Sequence, residues 1–538
     1  MTLGQLAQWV EHHDLLERSP QSAWMRNFVF RWKLPSACPL TTVKQSVLFL
    51  LARHEGLRTT FEFDPVEGPV QVVHEPSKDS VTVVAADTCL DIHGSVESMA
   101  RSLRNRSFHL QKAPLVEFFL IVRDDSVDEI IVVFHHIVAD LFSARILRRE
   151  LLRVLRDGPD VAGPALRPVK RQPIEVAAAQ LASDQSAALA RWRKVISGLP
   201  PTQMPSIEDS KATDGYVLTF RPATLGQALQ SSSGRYATIP PYLLLGLFAL
   251  VVSTYTGVGD FAVGVISANR FTYPEGIHCC ALRVPMLIPV SQANSFDELM
   301  RIVNDATRSA FRNADHDVRV VRDIMLSRQA DSGFNPRIRM EYNYLAVEGE
   351  PARGPDQDVT TLHREPTSDV DPGLLYFAAT YDKSARSVSI RIEAAESFLP
   401  APAAEMLLRT IESLAALLPL ESGSADTSAW ERALRTLADM GGSTVPLTPY
   451  RGGLVDLARA CRAVAARLPK EAEVEVVIEA NDESGELLTA YVRADVERAT
   501  IAAVHGELLT AAFADPALVV PVRFVVDAQD ERMILDFP

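Results

Sequence analysis

Cysteine is scarce in this sequence, and its spacing fits neither a metal site nor a disulfide framework. The chain of 538 residues contains five cysteines, which is an odd number. None lies in a Cys-x-x-Cys pattern, and none clusters with histidine at the spacing of metal ligands. We therefore expect a protein of a reducing compartment that has no zinc site and no bound metal.

Long apolar runs are absent as well. No stretch approaches the ~18 uninterrupted apolar residues of a membrane-spanning helix. The residues that follow Met1 include neither a basic segment nor an apolar run of the secretory kind. These absences predict a cytoplasmic protein without membrane spans.

Positive charge is in deficit. The sequence has 54 Lys and Arg residues against 68 Asp and Glu residues, a formal net charge of -14. Proteins that bind nucleic acid need a basic face for the phosphate backbone, so we expect no nucleic-acid partner. The acidic residues are spread along the chain, which favours solubility over one dedicated binding patch.

The composition is that of a folded protein of several domains. Hydrophobic residues make up 47% of the chain and charged residues 23%. At this length the chain exceeds one ordinary core and predicts roughly three to four units. We expect domains at 1–165, 166–425 and 426–538.

The periodicity of apolar residues predicts alternating helices and strands, which is an α/β pattern. An early helix is predicted around Trp9, and the repeated prolines and glycines of 158–172 predict a linker. The other predicted helices are 42–54, 174–192, 242–255 and 500–513. The predicted strands are 71–73, 81–84, 130–134, 261–266, 473–478 and 487–492.

The most informative pattern is His-His-Ile-Val-Ala-Asp at residues 135–140. It follows the β-branched apolar run 130–134 and precedes residues with helical apolar spacing, so it lies on a turn from strand to helix. Such a turn can present an imidazole to a cavity, and imidazole is the side chain whose ordinary pKa suits proton transfer near neutral pH. We take His136 as the candidate catalytic residue.

Further motifs in the same order resemble those of a known family. Residues 53–61 read Arg-His-Glu-Gly-Leu-Arg-Thr-Thr-Phe, and residues 264–270 read Gly-Val-Ile-Ser-Ala-Asn-Arg. Together with the His-His-x-x-x-Asp pattern they resemble the condensation domains of nonribosomal peptide synthetases, within the chloramphenicol acetyltransferase-like group. The resemblance covers residues 1 to about 425.

The resemblance implies a fold and a reaction. The family fold is a pair of acetyltransferase-like α/β lobes in a V, with a tunnel for two phosphopantetheine arms. The implied activity joins a carrier-bound acyl or peptidyl thioester to an amine or hydroxyl acceptor, here by a free-standing enzyme of a peptide or hybrid polyketide assembly line. The implied partners are acyl or peptidyl carrier proteins. No cofactor is expected to be bound permanently, because the carriers deliver the phosphopantetheine arms.

The resemblance also assigns roles around the motif. It implies that His136 is catalytic, as general base or by positioning the amine, and that Asp140 forms a salt bridge with Arg270 that braces the turn. His135 is expected to point away and hold the loop through hydrogen bonds. Ser143 agrees with the family pattern and is predicted to cap the following helix.

Two departures favour alternative functions. Leu141 stands where the family has glycine, and residues 277–282 have lost most of a family motif. These departures favour a catalytically silent scaffold that recruits carrier or tailoring proteins. Residues 341–345, Glu-Tyr-Asn-Tyr-Leu, are similar to an element of epimerization domains, so an epimerase of carrier-bound aminoacyl groups is the third reading.

The segment 426–538 resembles the small C-terminal subdomain of adenylation enzymes. Those enzymes carry a catalytic lysine after a Pro-x-x-Phe segment, whereas residues 527–532 here contain no lysine. We therefore interpret the segment as a degenerate module without adenylating activity.

Overall fold

The structure is a computed structural model of the chain. It describes all residues except 19–25, 167, 202, 205–214, 271–273, 275, 313, 333, 348–359, 368, 369, 372, 419–426, 441–447, 451, 452, 482–484, 515–517, 529–531 and 538.

The chain forms two compact units built from interleaved segments. The first unit contains residues 1–186, 267–282 and 314–319, and the second contains 187–266, 283–313 and 320–538. The predicted boundary at 165 lies inside the first unit, and the predicted boundary at 425 lies outside the described residues. The three-domain division stays a prediction, because compact units and inherited domains need not coincide.

The first unit combines a sheet with flanking helices. Its helices are α1 (Leu3–Arg18), α2 (Leu40–Arg53), α3 (Ala86–His93), α4 (Val96–Arg104), α5 (Leu141–Asp157), α6 (Pro159–Ala165) and α7 (Pro173–Leu181). Its strands are β1 (Asn27–Pro39), β2 (Thr59–Asp64), β3 (Gly68–Val73), β4 (Val81–Ala85), β5 (Val116–Arg123) and β6 (Ser126–His135). Among the described residues, four strands pair in the order β1-β6-β5-β4, and β2 and β3 form a separate hairpin.

The centre of this sheet explains why β6 can carry a site at its end. Strand β6 pairs antiparallel with both β1 and β5, and the side chains of residues 130–134 are fully buried. A strand covered on both faces reads as a continuous apolar run because neither face meets water. The backbone that leads to His135 and His136 is therefore held from both sides.

The second unit begins with helix α8 and contains the larger sheet. Its helices are α8 (Ser186–Ser197), α9 (Leu225–Ser232), α10 (Pro240–Thr256), α11 (Phe296–Arg312), α12 (Val318–Ser332), α13 (Ala401–Ala416), α14 (Thr427–Met440), α15 (Leu457–Ala465) and α16 (Arg498–Ala514). Its strands are β7 (Gly215–Arg221), β8 (Asp260–Ser267), β9 (Leu282–Pro289), β10 (Met340–Val347), β11 (Thr361–Thr367), β12 (Leu375–Asp382), β13 (Ser387–Ala395), β14 (Thr448–Tyr450), β15 (Gly453–Val455), β16 (Glu473–Asn481), β17 (Gly485–Arg493), β18 (Arg523–Asp527) and β19 (Arg532–Asp536). In the described part of the chain, seven strands pair in the order β11-β7-β13-β12-β10-β8-β9.

The C-terminal segment packs inside the second unit. Strands β16, β17, β18 and β19 pair in that order, and their apolar side chains share one hydrophobic core with Trp192 of α8 and Val321 of α12. The side-chain amide of Gln329 also donates to the carbonyl of Leu509 at 2.7 Å. These contacts join the segment to the rest of its unit through both apolar and polar groups.

Most of the predicted elements are present, and two predictions are wrong. The stretch 174–192 was expected to form one helix, but α7 and α8 are separate helices. The side chain of Asp184 accepts a hydrogen bond from the backbone N–H of Ser186 at 2.9 Å, and such a local bond competes with helix continuation. The expected linker contains the short helix α6, which Pro159 can begin because the first helical position needs no N–H donor.

Membrane insertion finds no support among the helices. Within the ranges that the structure describes, no helix combines the length and the hydropathy needed to cross a bilayer.

Candidate active site

The candidate site lies in the first unit, where β6 ends and α5 begins. His135 is the last residue of β6 and pairs with Asn27 of β1. The chain then turns, and Asp140 becomes the N-cap of α5 because its side chain accepts the backbone N–H of Ser143 at 2.8 Å. The prediction that Ser143 caps this helix is therefore wrong. An aspartate at the N-cap satisfies a free helix donor and interacts favourably with the positive end of the helix dipole.

His136 is held in one protonation pattern by the turn. Its Nδ1 lies 3.1 Å from the carbonyl oxygen of Ala139, and because a carbonyl can only accept, Nδ1 must carry the proton. Nε2 then has a free lone pair and has no hydrogen-bond partner among the described residues. Such an atom can accept a proton from a nucleophile.

The surroundings of His136 favour its neutral form. The ring is partly buried, and Phe28 meets it edge-on with 4.7 Å between the ring centroids. Burial lowers the pKa of His136, and the Ala139 carbonyl and the Asp140 carboxylate offset this only in part. The imidazole therefore stays available as a base below the pH at which an exposed histidine would be protonated.

His135 lies on the other side of the strand and contacts helix α1. Its Nδ1 accepts the backbone N–H of Ile137 at 3.2 Å, so its Nε2 carries the proton and donates to Nδ1 of His12 at 3.1 Å. Both rings are buried. Burial lowers the pKa of His135 well below its ordinary value and that of His12 to about 4, so the pair is neutral at pH 7. His135 thus joins the loop to α1.

Asp140 and Arg270 form a buried, doubly hydrogen-bonded ion pair. Nη2 of Arg270 donates to Oδ1 at 2.7 Å and Nε donates to Oδ2 at 3.3 Å. Burial alone would raise the pKa of Asp140, but Arg270 and the backbone N–H groups of Ser143 and Cys280 hold it below its ordinary value. Asp140 is therefore ionised at neutral pH and is engaged by four donors.

The sequence analysis missed the central place of the Ser143 hydroxyl. It accepts from Nη2 of Arg270 at 2.6 Å and from the backbone N–H of His278 at 3.2 Å, and it donates to the carbonyl of His278 at 3.0 Å. The hydroxyl thus connects α5, Arg270 and the 277–282 segment. Its spacing from Asp140 was the available signal, but that spacing suggested only a helix cap.

The altered segment 277–282 supports the site mainly through main-chain atoms. The carbonyls of Gly276 and His278 accept from Arg270, and the backbone N–H of Cys280 donates to Asp140 at 3.1 Å. The hydroxyl of Thr2 donates to the carbonyl of Cys279 at 2.9 Å. Since main-chain atoms make these contacts, the loss of the family side chains at this segment leaves the ion pair intact.

Two buried thiols lie next to the site. Sγ of Cys279 is 3.8 Å from Nδ1 of His136, and Sγ of Cys280 is 2.9 Å from Nε2 of His278. Burial raises the pKa of Cys279 well above its ordinary value and that of Cys280 to about 12, so both are thiols rather than thiolates. As neutral thiols they are poor nucleophiles and poor metal ligands.

The Arg-His-Glu motif lies away from these groups. Nε of Arg53 and Nε2 of His54 both bind Oε2 of Glu150, at 3.0 and 2.8 Å. These bonds fasten α2 to the middle of α5. The motif therefore holds the helix that follows the catalytic turn rather than contributing to chemistry.

Comparison with known proteins identifies the family. The family model of the condensation domain matches residues 8–395. The chain belongs to the condensation domain family, and its mixed α/β fold is the chloramphenicol acetyltransferase-like fold of these domains. The match ends at residue 395, so the adenylation-like character of 426–538 stays a prediction.

Individual relatives place the domain in multidomain synthetases. The chain is 27% identical to the bassianolide nonribosomal cyclodepsipeptide synthetase of Beauveria bassiana over 324 residues, which are 58% of this chain and 10% of that protein. It is 29% identical to the phosphinothricin tripeptide synthetase PhsC of Streptomyces viridochromogenes over 298 residues, 52% of this chain and 27% of that protein. The chain therefore spans only a small part of the length of these relatives.

A solved structure shows the same fold. The condensation domain of the monacolin K polyketide synthase MokA superposes with a TM-score of 0.59 at 16% sequence identity. The superposition covers 78% of this chain and 98% of that domain.

Proposed function

We propose that this protein catalyses the condensation of a carrier-bound acyl or peptidyl thioester with an amine, with His136 as the general base. Membership of the condensation domain family supports acyl transfer as the reaction class. The single observation that carries the assignment to His136 is its bond from Nδ1–H to the Ala139 carbonyl, which leaves the Nε2 lone pair free.

The proposed step balances with this chain's own groups. The acceptor nitrogen attacks the thioester carbonyl carbon, and Nε2 of His136 takes the proton that the nitrogen loses. The C–S bond breaks, and the departing pantetheine sulfur receives a proton to leave as a thiol. Asp140 takes no part in the proton transfer, because its oxygens already accept from Arg270 and two backbone N–H groups.

Asp140, Arg270 and His135 are proposed to position His136. Asp140 fixes the start of α5, Arg270 joins that helix to the 276–280 segment, and His135 joins the loop to α1. A base held in one rotamer and one tautomer avoids the cost of reorienting when the substrate binds.

The direct experiment uses two carrier proteins that bear phosphopantetheine. One is loaded with an acyl or aminoacyl thioester and the other with an aminoacyl acceptor, and the coupled product is measured by mass spectrometry with and without the enzyme. We expect an enzyme-dependent product that requires both loaded carriers. A panel of loaded carriers that yields no enzyme-dependent product would contradict the proposal and favour the scaffold reading.

Two further measurements separate the finer alternatives. An acceptor that bears a hydroxyl tests ester formation, since mild alkali cleaves an ester product and leaves an amide intact. Incubation of a single loaded carrier in D2O tests epimerization, which would place deuterium on the α-carbon without a second substrate. The free-standing organisation stays a prediction, because the curated relatives carry the matching region within much longer chains.

A further inference from the structure

The imidazole of His136 is in contact with an aromatic cluster, which we define as Phe28, Phe30 and Phe134. Phe28 pairs with Phe134 across β1 and β6, and Phe30 lies two residues further along β1 on the same face. The centroids of Phe28 and Phe134 are 5.7 Å apart, those of Phe30 and Phe134 are 5.7 Å apart, and those of Phe28 and Phe30 are 6.2 Å apart. Each ring therefore restricts the other two.

Phe28 carries this restriction to the base. Its ring stands at 83° to the imidazole with a centroid separation of 4.7 Å, the edge-to-face geometry that aromatic pairs prefer. Sγ of the buried Cys279 lies 3.8 Å from Nδ1. A rotation of the imidazole about its last torsion would have to displace either the phenyl ring or the thiol.

We propose that Phe28 is a positioning residue for His136: it holds the imidazole in the orientation that keeps Nδ1–H on the Ala139 carbonyl and Nε2 free. This inference rests on the proposed function, since it assigns a partner to the same base. Phe28 touches the base and not the reacting atoms, so it acts through His136. The hydrogen bond to Ala139 selects the tautomer, and the phenyl edge selects the ring plane.

Three substitutions test this role. Phe28→Leu keeps an apolar side chain but removes the aromatic edge, Phe28→Tyr restores the ring, and Phe49→Leu is a matched change at a partly buried phenylalanine of α2 that packs on the same core. We expect Phe28→Leu to lower kcat by roughly 10- to 100-fold with little change in KM, because a misplaced base affects the chemical step more than binding. Phe28→Tyr and Phe49→Leu should retain most of the activity.

The pH profile gives a readout that lost stability alone would not change. Removing the ring admits water to the imidazole, so the pKa of His136 should rise towards its ordinary value. The acid limb of kcat against pH should then move to higher pH in Phe28→Leu and stay in place in Phe49→Leu.

An NMR measurement on the protein alone separates this inference from the proposed function. With 15N-labelled histidine, the His136 signals are assigned by their loss in His136→Gln, and the two-bond 1H–15N correlations report the tautomer. We expect one tautomer, protonated at Nδ1, in the wild type and in Phe28→Tyr, and a mixture with a raised titration midpoint in Phe28→Leu. Phe28→Met replaces Phe28→Leu if the leucine variant does not fold. An unchanged tautomer and midpoint in the folded non-aromatic variant would overturn the inference, whether or not the protein couples carriers.

Discussion

The carboxylate of Asp140 and the guanidinium of Arg270 are 130 residues apart in the sequence and 2.7 Å apart in the structure. Both groups are buried, and their remaining bonding positions are filled by Ser143 and by main-chain atoms of residues 276–280. A buried charge pair of this kind is satisfied as a set. It fixes the start of α5 and therefore the turn on which His136 lies.

The first prediction concerns this pair. Asp140→Ala and Arg270→Ala should each lower the free energy of unfolding by about 3 to 5 kcal/mol, because each leaves an unpaired buried charge. The double variant should lose clearly less than the sum of the two, since it removes both charges. Urea unfolding of the four proteins measures this coupling. The exposed pair of Glu405 and Arg409 provides the control, with a coupling of about 0 to 1 kcal/mol, and additive losses at Asp140 and Arg270 would refute the prediction.

The second prediction concerns the Ser143 hydroxyl. Ser143→Ala removes one donor and one acceptor and leaves the buried backbone N–H of His278 without its partner. We expect a loss of about 1 to 3 kcal/mol in the free energy of unfolding. Ser413→Ala, which removes an exposed hydroxyl that bonds a helix carbonyl in α13, should change it little. Equal effects of the two substitutions would show that the Ser143 network adds no stability.

The third prediction concerns Leu141, where the family has glycine. The described non-glycine residues with left-handed backbone are Asp124, Asp125, Ala237, Asn269 and Arg386. Leu141 is not among them and begins α5 with ordinary helical geometry, so its backbone does not require glycine. We expect Leu141→Gly to leave the coupling rate unchanged and to cost about 1 kcal/mol or less in stability. A clear rise in coupling rate in Leu141→Gly and Leu141→Ala would mean that the leucine side chain obstructs the substrate.

The fourth prediction is a pH dependence of stability from His12. Its pKa is about 4 in the folded protein against 6.5 in the unfolded chain, because burial disfavours its charged form. As the pH falls below about 6.5 the unfolded chain binds the proton first, so stability is full above that pH and is lost towards about pH 4. The slope is about 1.4 kcal/mol per pH unit for each proton taken up.

His12→Asn isolates this contribution. The asparagine carbonyl can still accept from Nε2 of His135, but the side chain does not titrate. Chemical denaturation over this range should give a flatter stability profile for the variant than for the wild type. Other buried histidines, such as His278 and His505, are present in both proteins and cancel in the difference. Parallel profiles would show that His12 is not the titrating group.

The sequence predicted the elements that depend on local pattern. The β-branched run 130–134 lies in β6, and the apolar stretch 242–255 lies in α10, because in both cases one continuous apolar segment is buried. Local polar competition decided the failures: Asp184 separates α7 from α8, and Pro159 begins a helix where a linker was expected. Such effects involve one or two residues and are weak against a periodic pattern.

The site was predictable only as far as side chains carry it. His136, Asp140 and Arg270 follow from ordered motifs, and the structure brings Asp140 and Arg270 together next to the turn that carries His136. The roles of Cys280 and His278 depend on main-chain N–H and C=O groups, which every residue type except proline supplies. A sequence pattern cannot reveal them, and for the same reason the altered letters at 277–282 overstated the loss.

The most direct test of the account replaces His136 by asparagine. The amide of asparagine can still donate to the Ala139 carbonyl, so the turn keeps its hydrogen bond while the basic Nε2 is removed. With loaded carriers, His136→Asn should couple roughly 100- to 10,000-fold more slowly than the wild type, while His363→Asn, at an exposed position of β11, should couple at the wild-type rate. Wild-type coupling by a folded His136→Asn variant would contradict the role of His136 as the base.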